Sequence, residues 1–243
     1  MKDFEVEYEG NHIVAYNKLL FKTFPQNLFD PAYLQTSGLL TKSNDGNFQG
    51  RGRVQFFEYA GVELVLRHYH RGGLPAKISN DHYFWTGFNN TRAIREIDLL
   101  AALRLKHLPV PVPAAAHIFK SGLKYQADII TGQILDSRTL GEVLLTRSLN
   151  DHSWRNIGQV IKQFHNQNCN HVDLNANNIM IDQDDQIYLI DFDRSKIETS
   201  SASWQEKNLQ RLQHSLEKLN KINDGFHYAN ESFNTLMQGY RSS

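Results

Sequence analysis

The apolar residues of this chain change their period part-way along, and that change limits the folds open to it. In the first half they fall in short runs of strand character. Residues 54 to 69, VQFFEYAGVELVLRHY, are rich in Val, Phe, Leu and Tyr and are broken once, at Ala60-Gly61, which predicts a hairpin of two strands. A second strand pair is expected around 114 to 130. Between them, residues 91 to 108 carry Ile94, Ile97, Leu100, Ala101 and Leu103 at helical spacing behind Asn90 or Thr91 as N-cap. PVPVP at 109 to 113 ends that helix, because each proline lacks an amide donor and pushes its predecessor toward extended backbone. In the second half helices dominate. Trp154, Ile157, Val160, Ile161 and Phe164 share one face over 153 to 168, and Leu209, Leu212, Leu216 and Leu219 share one face of a final helix near 203 to 220. The two regimes meet at Thr131-Gly132. The expectation is an α+β chain in two lobes: residues 1–132 a β-sheet with one helix, residues 133–243 mainly helical. The first 45 residues add a strand or two to the first lobe and carry no chemistry.

Lys plus Arg and Asp plus Glu number 26 each, so no global basic field draws nucleic acid, and any anion site has to be local. Cys169 stands alone, which excludes an internal disulfide; the acidic opening MKDFEVEYEG lacks the basic end and apolar run of a secretion signal. Both point to the cytoplasm. No stretch approaches the roughly 18 apolar residues of a membrane-spanning helix, which leaves contact with a membrane surface open.

Residues 178 to 182 (NIMID) and 187 to 191 (IYLID) are short strand-like runs around Gln183-Asp184-Asp185-Gln186, which suits a hairpin. Folding about Asp184-Asp185 pairs residue i with residue 369 − i and sets Asn178 opposite Asp191, with Cβ atoms about 5 Å apart. An amide oxygen and a carboxylate at that open end suit a hard cation such as Mg²⁺, which takes oxygen ligands and keeps positions for phosphate. Asp173 lies five residues before Asn178, placed to meet whatever the metal holds. A metal on phosphates and a carboxylate that orients and deprotonates a hydroxyl are what phosphoryl transfer requires.

His171-x-Asp173-x-x-x-x-Asn178, followed by Asp191-Phe192-Asp193, resembles the catalytic loop and metal-binding motif of the protein-kinase-like fold. The resemblance implies a glycine-containing loop, a strand cation and a helix acid in the first lobe. Gly50-Arg51-Gly52 stands in the place of the loop, Arg67 in the place of the usual lysine, and Glu96, with Asp98 as the alternative, in the place of the helix acid. Arginine keeps the charge and a two-donor grip on phosphate, in a different geometry. His171 reads as a loop-orienting residue and Cys169 as a small buried one.

Asp193 stands where protein kinases have glycine, Asn175 where they carry lysine, and no Ala-Pro-Glu motif follows; only about 50 residues remain after Asp191. A small-molecule or glycolipid hydroxyl is therefore the expected acceptor. The chain resembles the 3-deoxy-D-manno-octulosonic acid (Kdo) kinases of Gram-negative bacteria in LRHYHRGG (66 to 73), PVPVP with Ala114-Ala115-Ala116, YQADIIT (125 to 131), HVDLNANNIM (171 to 180) and LIDFDRSK (189 to 196). That resemblance, over about residues 50 to 220, implies a two-lobed kinase-like fold and ATP- and Mg²⁺-dependent phosphorylation of the 4-hydroxyl of Kdo on a lipid A precursor. It also implies peripheral attachment to the cytoplasmic side of the inner membrane. In that light the basic run Arg67, His68, His70, Arg71 and Lys77 favours an anionic sugar, Arg71 and Asn175 are the expected acceptor contacts, and Tyr83, Phe84, Trp85 and Phe88 divide between core packing and lipid contact. Two other readings use the same residues. One is a kinase of another small hydroxylated molecule such as an aminoglycoside or choline, against which the basic run argues. The other is a nucleotide-binding pseudokinase module, suggested by Arg67 and the thin glycine loop.

Overall fold

The structure, a computed structural model, describes residues 2–41, 54–70 and 81–242. It resolves into two units, one of residues 1–101 and 112–133 and one of residues 102–111 and 134–243. Among the described residues no helix is long and apolar enough to cross a membrane.

The first unit carries β1 (Phe4–Glu9), β2 (His12–Asn17), α1 (Pro31–Thr36), β3 (Gln55–Tyr59), β4 (Val62–His68), β5 (Tyr83–Phe84), α2 (Arg92–Leu105, of which residues 102–105 count with the second unit), β6 (Pro113–Ser121) and β7 (Lys124–Gly132). The strands form one antiparallel sheet in the order β1-β2-β6-β7-β4-β3, with β5 also on β7. The break at Ala60-Gly61 is the β3–β4 turn: Tyr59 pairs with Val62, and Ala60 and Gly61 both have positive φ, 53° and 76°. A two-residue turn of that kind matches the right-handed twist of its strands. Val14, Tyr16, Phe57, Leu64 and Ile130 bury one sheet face against Phe21, Phe24, Leu28, Phe29 and Leu34 from the segment after β2. Each such side chain contributes about 1.5–3 kcal/mol when buried, which explains why a segment without strand pattern is still held. The early residues thus supply two strands, as expected, and a packing segment that was not.

Ala93, Ile94, Ile97, Leu100 and Leu103 are buried along one stripe of α2, the stripe that its periodicity announces. Thr91 precedes the helix in extended backbone, yet its hydroxyl donates to Phe88 O (2.8 Å). The first helical amide, of Arg92, donates instead to Tyr125 Oη on β7 (3.1 Å), and Arg92 Nη1 donates to Tyr83 Oη on β5 (3.0 Å).

The second unit carries β8 (Arg138–Thr139), α3 (Leu140–Leu144), α4 (Asp151–Asn166), β9 (Cys169–Asn170), β10 (Ile179–Ile181), β11 (Ile187–Leu189), β12 (Lys196–Ile197), α5 (Ala202–Ile222) and α6 (Asn230–Arg241). The stripes read from the sequence are there: Trp154, Ile157, Val160, Ile161 and Phe164 are buried on α4, and Leu209, Leu212 and Leu216 on α5, where Leu219 is only partly buried. α5 is not the final helix. α6 follows it and lies against α4 so closely that a Cβ at Gly158 would stand 2.0 Å from Leu236 O, and one at Gly239 2.1 Å from Arg155 O. The short stripe Phe233, Leu236 and Tyr240, with a glycine inside it, hid this helix from a reading by periodicity. The remaining strands make two small antiparallel sheets, β11-β10-β8 and β12-β9, which hold the loops described next.

Candidate active site

The β10–β11 hairpin sets the site, and its register differs by one residue from the symmetric fold expected. Ile179 pairs with Leu189 and Ile181 with Ile187, so Asn178 faces Ile190, whose amide donates to Asn178 O (3.0 Å). Asp191 lies one residue beyond. The cause is the turn. Asp182 N–H donates to Gln186 O (3.1 Å) and Asp185 N–H to Asp182 O (3.1 Å), with Asp185 at φ 56°. This is a three-residue loop closed by a left-handed residue, not a symmetric turn about Asp184-Asp185. The Asp182 carboxylate selects it by accepting from the amides of Asp184 (3.0 Å) and Gln186 (2.8 Å). A one-residue slip moves a side chain to the other face of a strand. Asp191 leaves the strand pattern altogether, with φ at 62°.

Residues 171 to 178 form the companion loop. His171 is buried, and its Nε2 donates to Ile190 O (2.9 Å), which ties this loop to the residue before Asp191. Burial lowers the pKa of the imidazole and keeps it neutral, while the Ile190 hydrogen bond and the charges of Asp191 and Asp173 act in the opposite direction. Phe192 packs edge-on against the same ring at 4.7 Å and stacks with Phe164 of α4 at 5.9 Å. Asn178 Nδ2 donates to Asp173 O (2.9 Å), so the amide nitrogen is used within the loop and Oδ1 remains as its ligating atom. Asn175 also turns inward. Its Nδ2 donates to Asp173 O (2.9 Å), its Oδ1 accepts from Asn177 N (2.9 Å), and its carbonyl accepts from Asn178 N (3.0 Å), a loop-shaping pattern.

A buried polar chain supports the loop from below. Asn170 Oδ1 accepts from Asn208 Nδ2 of α5 (2.9 Å), and Asn170 Nδ2 donates to Glu198. His165 Nε2 of α4 donates to Asn208 Oδ1 (3.3 Å), so its Nδ1 accepts from Tyr240 Oη of α6 (2.7 Å). Cys169 is fully buried, and burial pushes its thiol up to about 12.

Asp173 itself is open, with about half of its side chain exposed, and Arg211 Nη1 of α5 lies 3.2 Å from its Oδ1. A cavity of about 670 Å³ opens beside them, lined by Asp173, Asn175, Lys207, Arg211, His214 and Lys218 among others. The sequence reading assigned α5 packing only. The available signal was the basic stripe opposite its leucines, which by itself reads as a solvated face.

In the first unit, Arg67 Nη2 meets both carboxylate oxygens of Glu96, at 2.6 and 2.7 Å, and Tyr69 Oη donates to Oε2 at 2.5 Å. Glu96 is 3% exposed, so it is the buried partner of Arg67 and not a surface glutamate paired along its own helix. His68 is bound to Asp128 (2.5 Å) and lies 3.7 Å from Asp81. Of the basic run, Arg67 and His68 are thus each paired with an acid, and His70 stands edge-on against His68 at 4.7 Å. Gly50, Arg51, Gly52, Arg71, Gly72, Gly73 and Lys77 lie outside the described residues. The structure thus gathers Asp173, Asn175, Asn178 and Asp191 in the second unit, and Arg67 with Glu96 in the first.

A sequence model of the lipopolysaccharide kinase (Kdo/WaaP) family matches residues 42–240. A protein of Vibrio vulnificus (strain YJ016) is 36% identical over 238 residues, 98% of each chain. One of Vibrio parahaemolyticus serotype O3:K6 is 36% identical over 210 residues, 86% of each. One of Stenotrophomonas maltophilia (strain K279a) is 44% identical over 170 residues, 70% of this chain and 68% of that one. All three bear the name 3-deoxy-D-manno-octulosonic acid kinase.

Proposed function

This chain belongs to the lipopolysaccharide kinase (Kdo/WaaP) family, and from that membership we propose that it transfers the γ-phosphoryl group of ATP to the 4-hydroxyl of Kdo on a lipid A precursor during synthesis of the lipopolysaccharide inner core. It is on this reading a phosphotransferase with an alcohol acceptor on a protein-kinase-like α+β fold. The observation that carries the proposal is the geometry of the two loops: within one, Asn178 is bonded to Asp173 O, and across to the other His171 is bonded to the carbonyl just before a left-handed Asp191.

Asp173 acts as the base. Its open carboxylate receives the hydroxyl proton as the sugar oxygen forms a bond to the γ-phosphorus and the bond from that phosphorus to the bridging oxygen breaks, releasing ADP. Asn178 Oδ1 and the Asp191 carboxylate are hard oxygen donors, a set that fits Mg²⁺, which is held by one or two protein groups together with phosphates and water. When bound, Mg²⁺ supplies neutralisation of phosphate charge. His171 fixes the backbone between the two aspartates. Arg67, braced by Glu96 and Tyr69, steadies the non-transferred phosphates. The acceptor is a membrane lipid, so the proposed place of action is the cytoplasmic face of the inner membrane, with the chain bound at the surface; Phe84, 68% exposed, offers an aromatic side chain for that contact.

Incubation with γ-labelled ATP, Mg²⁺ and Kdo-lipid A precursor should label the lipid and leave an aminoglycoside or choline unlabelled. Asp173→Ala should lose about 10²- to 10⁴-fold in turnover at little changed nucleotide affinity, whereas Asp191→Ala should weaken Mg-ATP binding as well. Transfer to a cationic alcohol in place of the lipid, or nucleotide binding with no transfer at all, would replace this reading by one of its two rivals. Near-normal turnover of Asp173→Ala would remove the base assignment.

A further inference from the structure

Lys207, Arg211, His214 and Lys218 follow one another on α5 at intervals of four, three and four residues, which places them along one stripe of the helix. All four line the cavity that contains Asp173 and Asn175. Like charges one helical turn apart repel. No ion pair among the described residues involves Lys207, His214 or Lys218, and Arg211 has Asp173 alone, at 3.2 Å. A chain with equal numbers of acidic and basic residues has therefore gathered at one place, beside the aspartate read as the base, an arginine, a histidine and two lysines that have no ion pair. On the opposite side of the helix, Leu209, Leu212 and Leu216 fix its orientation in the core.

We propose that this ladder binds an anionic group of the acceptor, a carboxylate or a phosphate carried near the hydroxyl to be phosphorylated; the proposal rests on the reading of Asp173 as the base of a sugar kinase. It adds α5 to acceptor recognition, beside a run at 67 to 77 in which Arg67 and His68 are paired with acids. Over eleven residues the ladder is about 16 Å long, enough to meet more than one oxyanion of a phosphorylated glycolipid. It also gives Arg211 a second function. While the acceptor is absent, its guanidinium rests on Asp173; an incoming oxyanion competes for the same donors and returns Asp173 Oδ1 to the hydroxyl.

The test uses the full chain, with the double variant Lys207→Gln/Lys218→Gln and its charge-keeping counterpart Lys207→Arg/Lys218→Arg. The glutamine variant should raise KM for the Kdo-lipid A precursor on the order of tenfold or more with KM for ATP unchanged, and the arginine variant should restore it. Repeating the assay with a precursor stripped of its lipid phosphates assigns the ladder: lost sensitivity to the substitutions means those phosphates are read, retained sensitivity means the sugar carboxylate. An acceptor KM within twofold of wild type in the glutamine variant, while the wild-type chain phosphorylates the lipid, overturns the site and leaves the function standing. Equal loss of binding to acceptor-free anionic vesicles would make the ladder a membrane contact and overturn it as well. A wild-type chain that phosphorylates no Kdo lipid defeats the function, and this site with it.

Discussion

Asp191 is held at φ 62°, where an L-residue in general costs about 1–2 kcal/mol and aspartate and asparagine are tolerated best. The position therefore selects its residue twice, by backbone and by carboxylate, and the two demands can be separated. Asp191→Asn keeps the conformation and removes the charge; it should unfold in denaturant within about 0.5 kcal/mol of wild type while losing most Mg-ATP affinity. Asp191→Val should lose the same affinity and an additional 1–2 kcal/mol or so of stability, because a β-branched residue resists that region. Equal stability of the two variants would show that the backbone is not under this constraint. At this scale the sequence was informative where chemistry forces residue order: His171, Asp173, Asn178 and Asp191 stand out by type and spacing, and the His171–Ile190 bond joins the loops that carry them. The register that relates Asn178 to Asp191 was not, since it depends on two backbone bonds to the Asp182 side chain. Arg211 was hidden for another reason, because its contact with Asp173 joins residues on separate elements and leaves no local pattern.

The crossing of α4 and α6 shows how two glycines can decide an element. In an isolated helix Gly→Ala is favourable by about 1 kcal/mol. At Gly158 the added Cβ would meet Leu236 O at 2.0 Å and Tyr240 N at 2.7 Å, and at Gly239 it would meet Arg155 O at 2.1 Å, in each case backbone that no side-chain rotation can clear. The helices would have to separate, and with them the bond between His165 and Tyr240. We expect Gly158→Ala to destabilise by about 1–3 kcal/mol or more, the reverse of its propensity effect, as measured by urea unfolding. A variant as stable as wild type would mean that the pair opens without cost. The same closeness explains why α4 and α5 were readable and α6 was not: long leucine and isoleucine stripes announce a helix packed by side chains, whereas a helix packed through its backbone spends glycine where the pattern needs an apolar residue.

Across the molecule, two histidines, one in each unit, should couple their own surroundings to acid in opposite senses, because they are shifted in different directions. In the second unit burial pushes His165 down to about 4, with the Asn208 hydrogen bond opposing. The unfolded chain takes up that proton near pH 6.5 and the folded one does not until far lower. The stabilisation is thus fully present above about pH 6.5 and is lost as the pH falls toward 4, a total of about 3 kcal/mol. In the first unit the hydrogen bond to Asp128 raises His68, against the effect of burial. Its stabilisation is fully present below the unfolded pKa near 6.5 and fades as the pH rises through the higher folded value. Asp128 adds to this: burial alone would raise it, but the bonds from His117 and His68 outweigh burial and hold it below the usual carboxylate range, so the pair survives moderate acid. Hydrogen exchange at pH 7.5 and 5, corrected for intrinsic rates, should show α4 and α6 losing protection relative to β4 and β7 on acidification. His165→Gln should reduce the response of the helices, since it removes one of the two buried, downshifted imidazoles of that unit, the other being His171. Because His165 reaches Asn170 through Asn208, beneath the loop that carries Asp173, phosphoryl transfer should decline in step with the loss of helix protection. Parallel loss of protection in both units, or a pH response of the helices unchanged in His165→Gln, would remove His165 from this role.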